Sequence, residues 1–397
     1  MLRQRRQLAT AAEPLVRTAL YGLHNELGGK LVPFAGYELP VQYEGHGVLK
    51  EHLHCRSKNC ASLFDVSHMG QIEWTGKDRV KFLERVLVGD VGSLKEKEGK
   101  LSLLVNPEGG IIDDAVLANA GDYIYMVVNG ACKHGDLAYM AEVQKANPGD
   151  DVTCNYLGDS QQLLALQGDG AKDVMAALLP AGFQLEKMAF MTGENVTLKG
   201  GFETRVTRCG YTGEDGFEIS MKYADAEKLA RVLLGSTAAD VQPCGLGARD
   251  SLRLEAGLCL YGHDLDTSID PVQAGLLWTI GPKGARRRVE QGFAGAHNIL
   301  KPDGGPLPKT KKRVGFMGHS QPIREGAPIF DMEGKEIGVV TSGTSSPTLG
   351  KAVAMGYVHT AFAKEGTDVQ LGARKKMVPT KVAKMPFVPT NYWRVPE

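Results

Sequence analysis

The sequence lacks an excess of charge of either sign, since its 397 residues include 46 basic and 46 acidic side chains. Proteins that bind nucleic acid broadly usually show a basic excess, so this balance argues against such a function. The sequence also lacks any apolar run of roughly 18–20 residues, the length that a membrane-spanning helix needs. We therefore expect no nucleic-acid partner and no membrane partner. The length favours two or three domains of ordinary size.

Paired cysteines are missing as well, because the seven cysteines are an odd number, are scattered and include no C-x-x-C motif. This pattern is typical of a reducing compartment rather than of a disulfide framework. His52, His54, Cys55 and Cys60 form a cluster of groups that zinc could use. No second Cys/His pair follows at a zinc-finger spacing, so we interpret the cluster as a polar helix face and predict no metal.

The N-terminus has the composition of an organelle transit peptide. The first twelve residues, MLRQRRQLATAA, contain three arginines and no acidic residue, and they end in small residues. A secretory signal would need an apolar stretch that is missing here. A disordered basic start would have a similar composition. We predict a transit peptide over residues 1–13 and a mitochondrial protein.

Strand and helix patterns alternate through residue 280, which predicts a mixed α/β (α+β) region over residues 14–285. Helical spacing predicts helices over residues 15–26, 78–88, 131–146, 171–179, 225–235 and 247–257. Period-two alternation predicts two neighbouring strands in GGIIDDAVLAN and DYIYMVVNG. A further hairpin is predicted around Gly200 and Gly201.

The pattern changes after about residue 281. The segments GPKGARRRVEQG and KPDGGPLPKTKKR are basic and rich in Gly and Pro, which predicts a linker over residues 286–312. Short strand-like segments separated by turn residues follow. They predict a small all-β barrel or sandwich as a C-terminal domain over residues 313–397.

The segment RVTRCGYTGEDGFEIS combines closely spaced glycines with the carboxylates of Glu214, Asp215 and Glu218. It is not a P-loop, because it has no lysine and its acids would repel a polyphosphate. A carboxylate instead accepts paired hydrogen bonds from guanidines, amidines or 2-aminopyrimidinone rings such as a pterin. Strand alternation places Glu218 away from its apolar neighbours, and Tyr211 is an aromatic ring for a flat ligand. The alternative is a solvent-facing glutamate on a hairpin.

The segment NPEGGIIDDAVLAN places two adjacent carboxylates, Asp113 and Asp114, on opposite faces of an apolar strand. Both cannot reach the same solvent, so we expect one of them to point toward a cavity or the core. A buried carboxylate is costly unless it has a partner or a function. A structural salt bridge is the alternative explanation.

Two arginines, Arg249 and Arg253, lie four residues apart on one face of the helix in GARDSLRLEAG. Asp250 precedes Arg253 by three residues and is placed to pair with it. This pairing leaves Arg249 as the freer guanidinium.

Several segments together carry a resemblance to a known family: FAGYELPVQY, SLFDVSHMG, LLALQG, RCGYTGEDGFEIS, ARDSLRLEAGLCLYGHDL, IGVVTSG and MPFVPTNYW. They resemble the T proteins of the glycine cleavage system, which are tetrahydrofolate-dependent aminomethyltransferases. The resemblance covers nearly the whole chain. It implies the folate-binding aminomethyltransferase fold, with two interleaved α/β subdomains around a central folate hole and a C-terminal β-barrel.

The resemblance also implies a reaction. An aminomethyl group passes from the lipoyl arm of a carrier, the H protein, to tetrahydrofolate, giving 5,10-methylenetetrahydrofolate and ammonia. Tetrahydrofolate would be a co-substrate, no metal would take part, and the protein would work with the other glycine cleavage components in the mitochondrial matrix. By matching position, the implied catalytic residue is Asp114, and the implied folate-binding residues are Glu218, Arg249, Tyr392, Tyr211 and Asn129.

Two related functions are alternatives. A non-catalytic folate-binding factor for iron–sulfur assembly would carry a motif like KGCYTGQE, with cysteine in place of Gly210 and glutamine in place of Glu214. A folate-dependent amine demethylase would need an upstream flavin domain, and no dinucleotide fingerprint is present in this sequence. The sequence departs from both patterns.

Two basic clusters, GARRR (284–288) and KTKKR (309–313), have no counterpart among these motifs. We interpret them as solvated loops. The alternative is that they attract an acidic carrier or the polyglutamate tail of folate toward the cavity.

Overall fold

The structure is a computed structural model that describes residues 14–319, 321–373 and 376–396. The described residues form a mixed six-stranded sheet, an antiparallel five-stranded sheet, a two-stranded sheet and one closed β-barrel, together with their helices. The predicted fold class is therefore confirmed, and of the two alternatives for the C-terminal domain the barrel is correct. The predicted transit peptide, residues 1–13, lies outside the described residues.

The first sheet has six strands whose apolar faces pack against two helices. In spatial order the strands are β10 (Thr192–Leu198), β11 (Phe202–Arg208), β12 (Gly216–Lys222), β9 (Gln161–Gln167), β3 (Cys60–Asp65) and β13 (Asp240–Pro243). Helices α5 (Ala171–Leu178) and α6 (Tyr223–Leu234) bury Val174, Met175, Leu229 and Leu233 against this sheet. Strands β10 and β11 form the hairpin that the sequence predicted.

The second sheet has five antiparallel strands and is built from the chain between β3 and β9. Its order is β5 (Gly99–Val105), β6 (Ile111–Asn119), β7 (Ile124–Val128), β4 (Gly70–Thr75) and β8 (Thr153–Tyr156). Helices α3 (Arg79–Val86) and α4 (Lys133–Lys145) belong to this part of the chain. Because the chain leaves the first sheet, forms the second and then returns, the two parts are interleaved, as the resemblance implied.

The C-terminal part is a closed barrel of six strands. Their order is β14 (Lys311–His319), β17 (Lys351–His359), β16 (Glu336–Ser346), β15 (Pro328–Phe330), β18 (Asp368–Ala373) and β19 (Lys376–Ala383). Phe316, Val340, Val358 and Leu371 are among the apolar side chains that fill its interior. Closure pairs the edge strands that an open sheet of this size would expose.

The remaining α-helices and strands are outside the two large sheets and the barrel. They are α1 (Tyr21–Glu26), β1 (Gly29–Phe34), β2 (Tyr37–Tyr43), α2 (Gly47–Arg56), α7 (Leu246–Glu255), α8 (Arg286–Glu290) and α9 (Ala296–Ile299). None of the described helices is both long enough and apolar enough to cross a bilayer. The helix predicted over residues 15–26 begins only at Tyr21, because Val16 forms a β-bridge with Tyr37 instead.

The predicted linker, residues 286–312, packs against the body of the protein. Phe293 and Ile299 are buried in a hydrophobic cluster. The guanidinium of Arg287 donates to the backbone carbonyl of Leu87 (2.9 Å), and that of Arg288 donates to the carbonyl of Gly281 (2.9 Å). The interpretation of GARRR as a solvated loop is therefore wrong, because backbone carbonyls replace water around these two arginines.

The buried carboxylate of Glu255, at the end of α7, connects helix α2 to the barrel. This carboxylate accepts hydrogen bonds from Arg56 of α2 (3.0 Å) and from the hydroxyl of Thr348, which follows β16 (2.8 Å). His52 Nε2 lies 3.1 Å from it. Burial alone would raise the pKa of Glu255, but His52 and the hydroxyls of Ser346 and Thr348 lower it to about 2.

We predict that Glu255→Gln lowers the free energy of unfolding by about 3 kcal/mol at neutral pH, because it leaves buried donors without their charged acceptor. The stabilisation by Glu255 is present above the unfolded-state pKa of about 4.3. It is lost as the pH falls toward the folded-state pKa of about 2. The difference in the free energy of unfolding between variant and wild type should therefore become smaller at acidic pH. Urea unfolding at several pH values measures it.

The matched control is Glu365→Gln, since Glu365 is exposed. It should unfold like the wild type at every pH. Equal stability of Glu255→Gln and the wild type at neutral pH would contradict the assigned role of Glu255.

Candidate active site

The two adjacent carboxylates of β6 point to opposite sides of its sheet. Asp113 is fully buried and Asp114 is half-buried. Val116 and Ala118, on the same face of the strand as Asp114, line a small cavity together with Glu218 of the other sheet. Asp113 therefore enters the core, whereas Asp114 lies on the face that leads to the cavity between the sheets.

Asn129 connects these two carboxylates. Ala115 of β6 pairs with Val128 of β7, so the residue that follows β7 lies beside Asp114. The backbone N–H of Asn129 donates to Asp113 Oδ2 (2.9 Å), and its Nδ2 donates to Asp113 Oδ1 (2.8 Å) and to Asp114 Oδ1 (3.0 Å). Within the described part of the chain an amide, and not a cation, holds the pair, so the salt-bridge alternative does not apply.

Asp114 has the protonation behaviour of an acid–base group. Burial, reinforced by the charge of Asp113, raises its pKa to about 7, although the hydrogen bond from Asn129 acts in the opposite direction. Such a carboxyl group both takes up and releases a proton near neutral pH. A strongly perturbed carboxyl at a cavity is a typical feature of functional sites.

Glu218 faces the cavity because its neighbours face the core. Phe217 and Ile219 are buried in the apolar cluster beneath β12. Burial raises the pKa of the Glu218 carboxyl, while the positive charge of Arg249 lowers it, so these two side chains lie near each other. The alternative of a solvent-facing glutamate is wrong.

Arg249 is the freer arginine of α7, as the sequence predicted. Arg253 is bound by Asp250 (Nε to Oδ1, 2.9 Å) and by Asp264 (Nη1 to Oδ2, 2.8 Å). The Arg249 guanidinium lies 4.7 Å from the centre of the Tyr211 ring, and its buried Nη1 has no hydrogen-bond partner among the described residues. A buried donor without an acceptor is costly, so this atom marks a position where a ligand can supply the acceptor.

Tyr211 lies near both the catalytic candidate and the arginine. Its hydroxyl donates to the carbonyl of Cys259, which fixes the ring beside Arg249. Burial raises the pKa of this phenol, and the charges of Asp114 and Arg249 act on it from nearby. The structure therefore brings Asp114, Tyr211, Arg249 and Glu218 into one region.

Tyr392 reaches this region on the C-terminal tail, which binds the glycine-rich loop. The backbone N–H of Asn391 donates to the carbonyl of Gly213 (2.7 Å), and its Nδ2 donates to Glu214 (2.8 Å). The Tyr392 ring stacks on Phe190, with 4.1 Å between the ring centres and 16° between the planes. Sequence reasoning missed Phe190 and Asn391, because no local pattern distinguishes them.

Two of the three carboxylates in the glycine-rich loop have structural partners. Glu214 accepts from Arg56 Nη1 (2.7 Å), and Asp215 accepts from Arg208 Nε (2.9 Å). Both arginines come from other strands or helices of the first part of the fold. The negative charge of the loop is thus neutralised inside the protein, and Glu218 remains for a ligand.

The cluster that resembled a zinc site divides in the structure. His52 pairs with Glu255. His54, Cys60 and Asp240 each offer one ligand-type atom, and these three atoms lie within 4.8 Å of one another. His54 Nε2 already lies 3.3 Å from the Asp240 carboxylate. None of these residues lines the cavity that contains Glu218.

Comparisons with known proteins agree with this arrangement. The family profile described as "GCVT N-terminal domain" matches residues 20–284, and "Glycine cleavage T-protein C-terminal barrel domain" matches residues 311–389. The mitochondrial aminomethyltransferase of Gallus gallus is 49% identical over 394 residues, covering 98% of this chain and 96% of that relative. The mitochondrial aminomethyltransferase of Dictyostelium discoideum is 47% identical over 395 residues, covering 96% and 95%.

A solved structure is similar over the same range. The glycine cleavage system aminomethyltransferase T from Bartonella henselae superposes with a TM-score of 0.85 at 40% sequence identity. The superposition covers 96% of this chain and 100% of that one. The chain therefore belongs to the glycine cleavage T-protein family.

Proposed function

We propose that the protein is the tetrahydrofolate-dependent aminomethyltransferase of a glycine cleavage system. It transfers the aminomethyl carbon from the lipoyl arm of the H protein to tetrahydrofolate, giving 5,10-methylenetetrahydrofolate and ammonia. The observation that carries this proposal is the convergence of Asp114, Glu218 and Arg249 around Tyr211, in a chain whose relatives are named aminomethyltransferases. The direct test is incubation with tetrahydrofolate and aminomethyl-loaded H protein while ammonia release is followed.

Glu218 and Arg249 offer complementary groups to a pterin ring. The ring N–H and the exocyclic amino group of a pterin form a pair of donors that suits a carboxylate. The unpartnered Nη1 of Arg249 is available to an acceptor atom of the ligand. Burial raises the pKa of Glu218, and donors from a ligand would stabilise its ionised form.

Asp114 is the proposed catalytic residue. The methylene carbon must form bonds to two folate nitrogens while its bonds to the amino nitrogen and the lipoyl sulfur break. The two folate N–H protons then end on ammonia and on the lipoyl thiol. A carboxylate with a pKa of about 7 is suited to take up such a proton and return it to a leaving group. Its charge also stabilises the cation that develops at the carbon.

The other residues of the site orient these groups and the ring. Asn129 holds Asp114 Oδ1 through its side-chain amide (3.0 Å). We assign Tyr211 and Tyr392 to contacts with flat parts of the folate, with Phe190 supporting Tyr392 from behind. Much of the rate enhancement in a reaction of two bound substrates comes from holding them together. No metal has a role in this proposal.

The relatives support a cellular setting for this function, because they are named mitochondrial. We propose that the protein acts in the mitochondrial matrix with the H protein and the other glycine cleavage components, and that residues 1–13 are the transit peptide. Lys311 and Lys312 at the start of the barrel are half-buried and exposed, respectively. Because arginines of the GARRR cluster bind backbone carbonyls, we propose that the KTKKR cluster (309–313) is the one that attracts an acidic carrier or a polyglutamate tail.

The first test of the site is Asp114→Asn. This variant keeps the size and polarity of the side chain but loses the carboxylate. We expect an unchanged dissociation constant for tetrahydrofolate and a decrease of kcat by about 10²–10⁴-fold, the usual contribution of a general acid–base group. Calorimetry and ammonia release measure the two quantities. An unchanged kcat would remove Asp114 from the chemistry.

The second test is the pH dependence of the reaction. The ionised form of Asp114 predominates above its pKa of about 7, so the rate should rise through neutral pH and level off above it. Below this range the single-turnover rate should fall about tenfold per pH unit. The rate is measured at saturating tetrahydrofolate. Protonation of Glu218 would weaken folate binding, and saturation keeps that loss of affinity from lowering the measured rate. A rate that stays level between about pH 5 and 8 would contradict the role of Asp114 as a base.

The third test is Glu218→Gln. The amide can no longer accept two hydrogen bonds from the pterin, and a charge-assisted contact contributes about 1.5–3 kcal/mol. We expect the dissociation constant for tetrahydrofolate to rise about 10–150-fold. The control is Glu142→Gln, because Glu142 is exposed on α4 and does not line the cavity. Equal affinity of the two variants would exclude Glu218 from the folate site.

A further inference from the structure

A third aspartate, Asp136 of α4, lies beside the β6 pair and has no role in the reaction described above. Its side chain is fully buried. Neither of its carboxylate oxygens accepts a hydrogen bond from a donor among the described residues. The charged groups of the described chain that act on it are Asp113 and Asp114, both of the same sign.

Neighbouring buried carboxyl groups without a cation cannot all be ionised, so they must share protons. Burial and the charge of Asp113 raise the pKa of Asp136 to about 9, which keeps Asp136 protonated at neutral pH. Burial also raises the pKa of Asp113, but Asp113 accepts two hydrogen bonds from Asn129 (2.9 and 2.8 Å), and these favour its ionised form. The side chains of Asp136 and Asp113 lie within hydrogen-bonding reach of each other, so the O–H of neutral Asp136 is placed to donate to ionised Asp113.

The other titratable groups around the cluster leave this arrangement unchanged. Cys132 precedes α4, and burial and the charge of Asp113 raise the pKa of its thiol. Tyr261, from the segment after α7, donates its hydroxyl to the carbonyl of Ile111 (3.0 Å). Burial raises the pKa of Tyr261, and the more distant Asp266 acts in the same direction. Both groups stay neutral, so the protons of the cluster titrate on its carboxyls.

We propose that Asp136 is a positioning residue, which as a neutral acid keeps Asp113 ionised and in place and thereby sets the orientation and the titration of Asp114. The connection runs from Asp136 to Asp113 by an O–H donor, and from Asp113 to Asp114 through the side-chain amide of Asn129. The proposal rests on the proposed function of Asp114.

The test compares two variants that differ in whether position 136 can donate a hydrogen bond. Asp136→Asn retains a donor toward Asp113, so we expect the acid limb of its rate–pH profile to coincide with that of the wild type. Asp136→Leu removes the donor, so Asp113 takes up the proton and no longer opposes the ionisation of Asp114. The acid limb should then move about one pH unit lower. Glu142→Gln, on the exposed face of the same helix, is the control.

The outcomes separate this inference from the proposed function. An unmoved acid limb in Asp136→Leu, together with an inactive Asp114→Asn, overturns the role of Asp136 and leaves that of Asp114 standing. Full activity of Asp114→Asn overturns the proposed function itself. A purely structural role of Asp136 would lower stability or kcat in both variants without moving the limb.

A second measurement applies even when Asp136→Leu does not fold. Infrared difference spectra of Asp114→Asn at about pH 8 should show a protonated buried carboxyl group, because burial and the charge of Asp113 raise the pKa of Asp136 to about 9. The carbonyl stretching band of this protonated carboxyl should shift in D2O. Its intensity should fall in the double variant that carries both Asp114→Asn and Asp136→Asn. The same band with undiminished intensity in the double variant would overturn the proposal.

Discussion

Helix α7 sets the position of the site relative to the barrel because it buries charges that need partners. Breaking a buried charge pair typically costs about 3–5 kcal/mol, so the partners restrict how the helix can lie. Arg253 binds Asp264 (2.8 Å), which also accepts from Ser342 of the barrel (2.9 Å). Glu255, at the end of the helix, accepts hydrogen bonds from Arg56 of α2 and from Thr348, which follows β16 of the barrel. Arg249 lies one turn before Arg253 and is left beside the Tyr211 ring, with its Nη1 unpartnered among the described residues.

The glycine-rich loop follows the same principle of paired charge. Its negative side chains Glu214 and Asp215 are matched by Arg56 and Arg208, which leaves Glu218 with an unmatched edge toward the cavity. Glycine is required where the loop passes over β9, because a Cβ on Gly210 would come within 1.9 Å of the Gln167 side chain. Close packing and charge pairing, rather than phosphate binding, explain why this loop is both acidic and rich in glycine.

Sequence reasoning succeeded where the deciding contact is local. The alternation of β6 and β12 placed Asp113, Asp114 and Glu218 on the correct faces, and a pair three residues apart on a helix was sufficient to single out Arg249. It failed where the partner is distant in the chain. Val16 was predicted to be helical but forms a β-bridge with Tyr37. Arg287 was predicted to be solvated, but its guanidinium donates to a backbone carbonyl of a segment that is distant in the chain.

The sequence by itself determined the family, the order of the helices and strands and the face of each strand on which a carboxylate lies, because these depend on motifs and on residue spacing. Only the tertiary structure decided which acids are neutralised and which are available. The pKa of about 7 at Asp114 arises from burial and from Asp113, and Asp136 reaches that pair from another element of the fold. Protonation depends on the solvent and charge around a group, and that environment forms only when distant segments pack together.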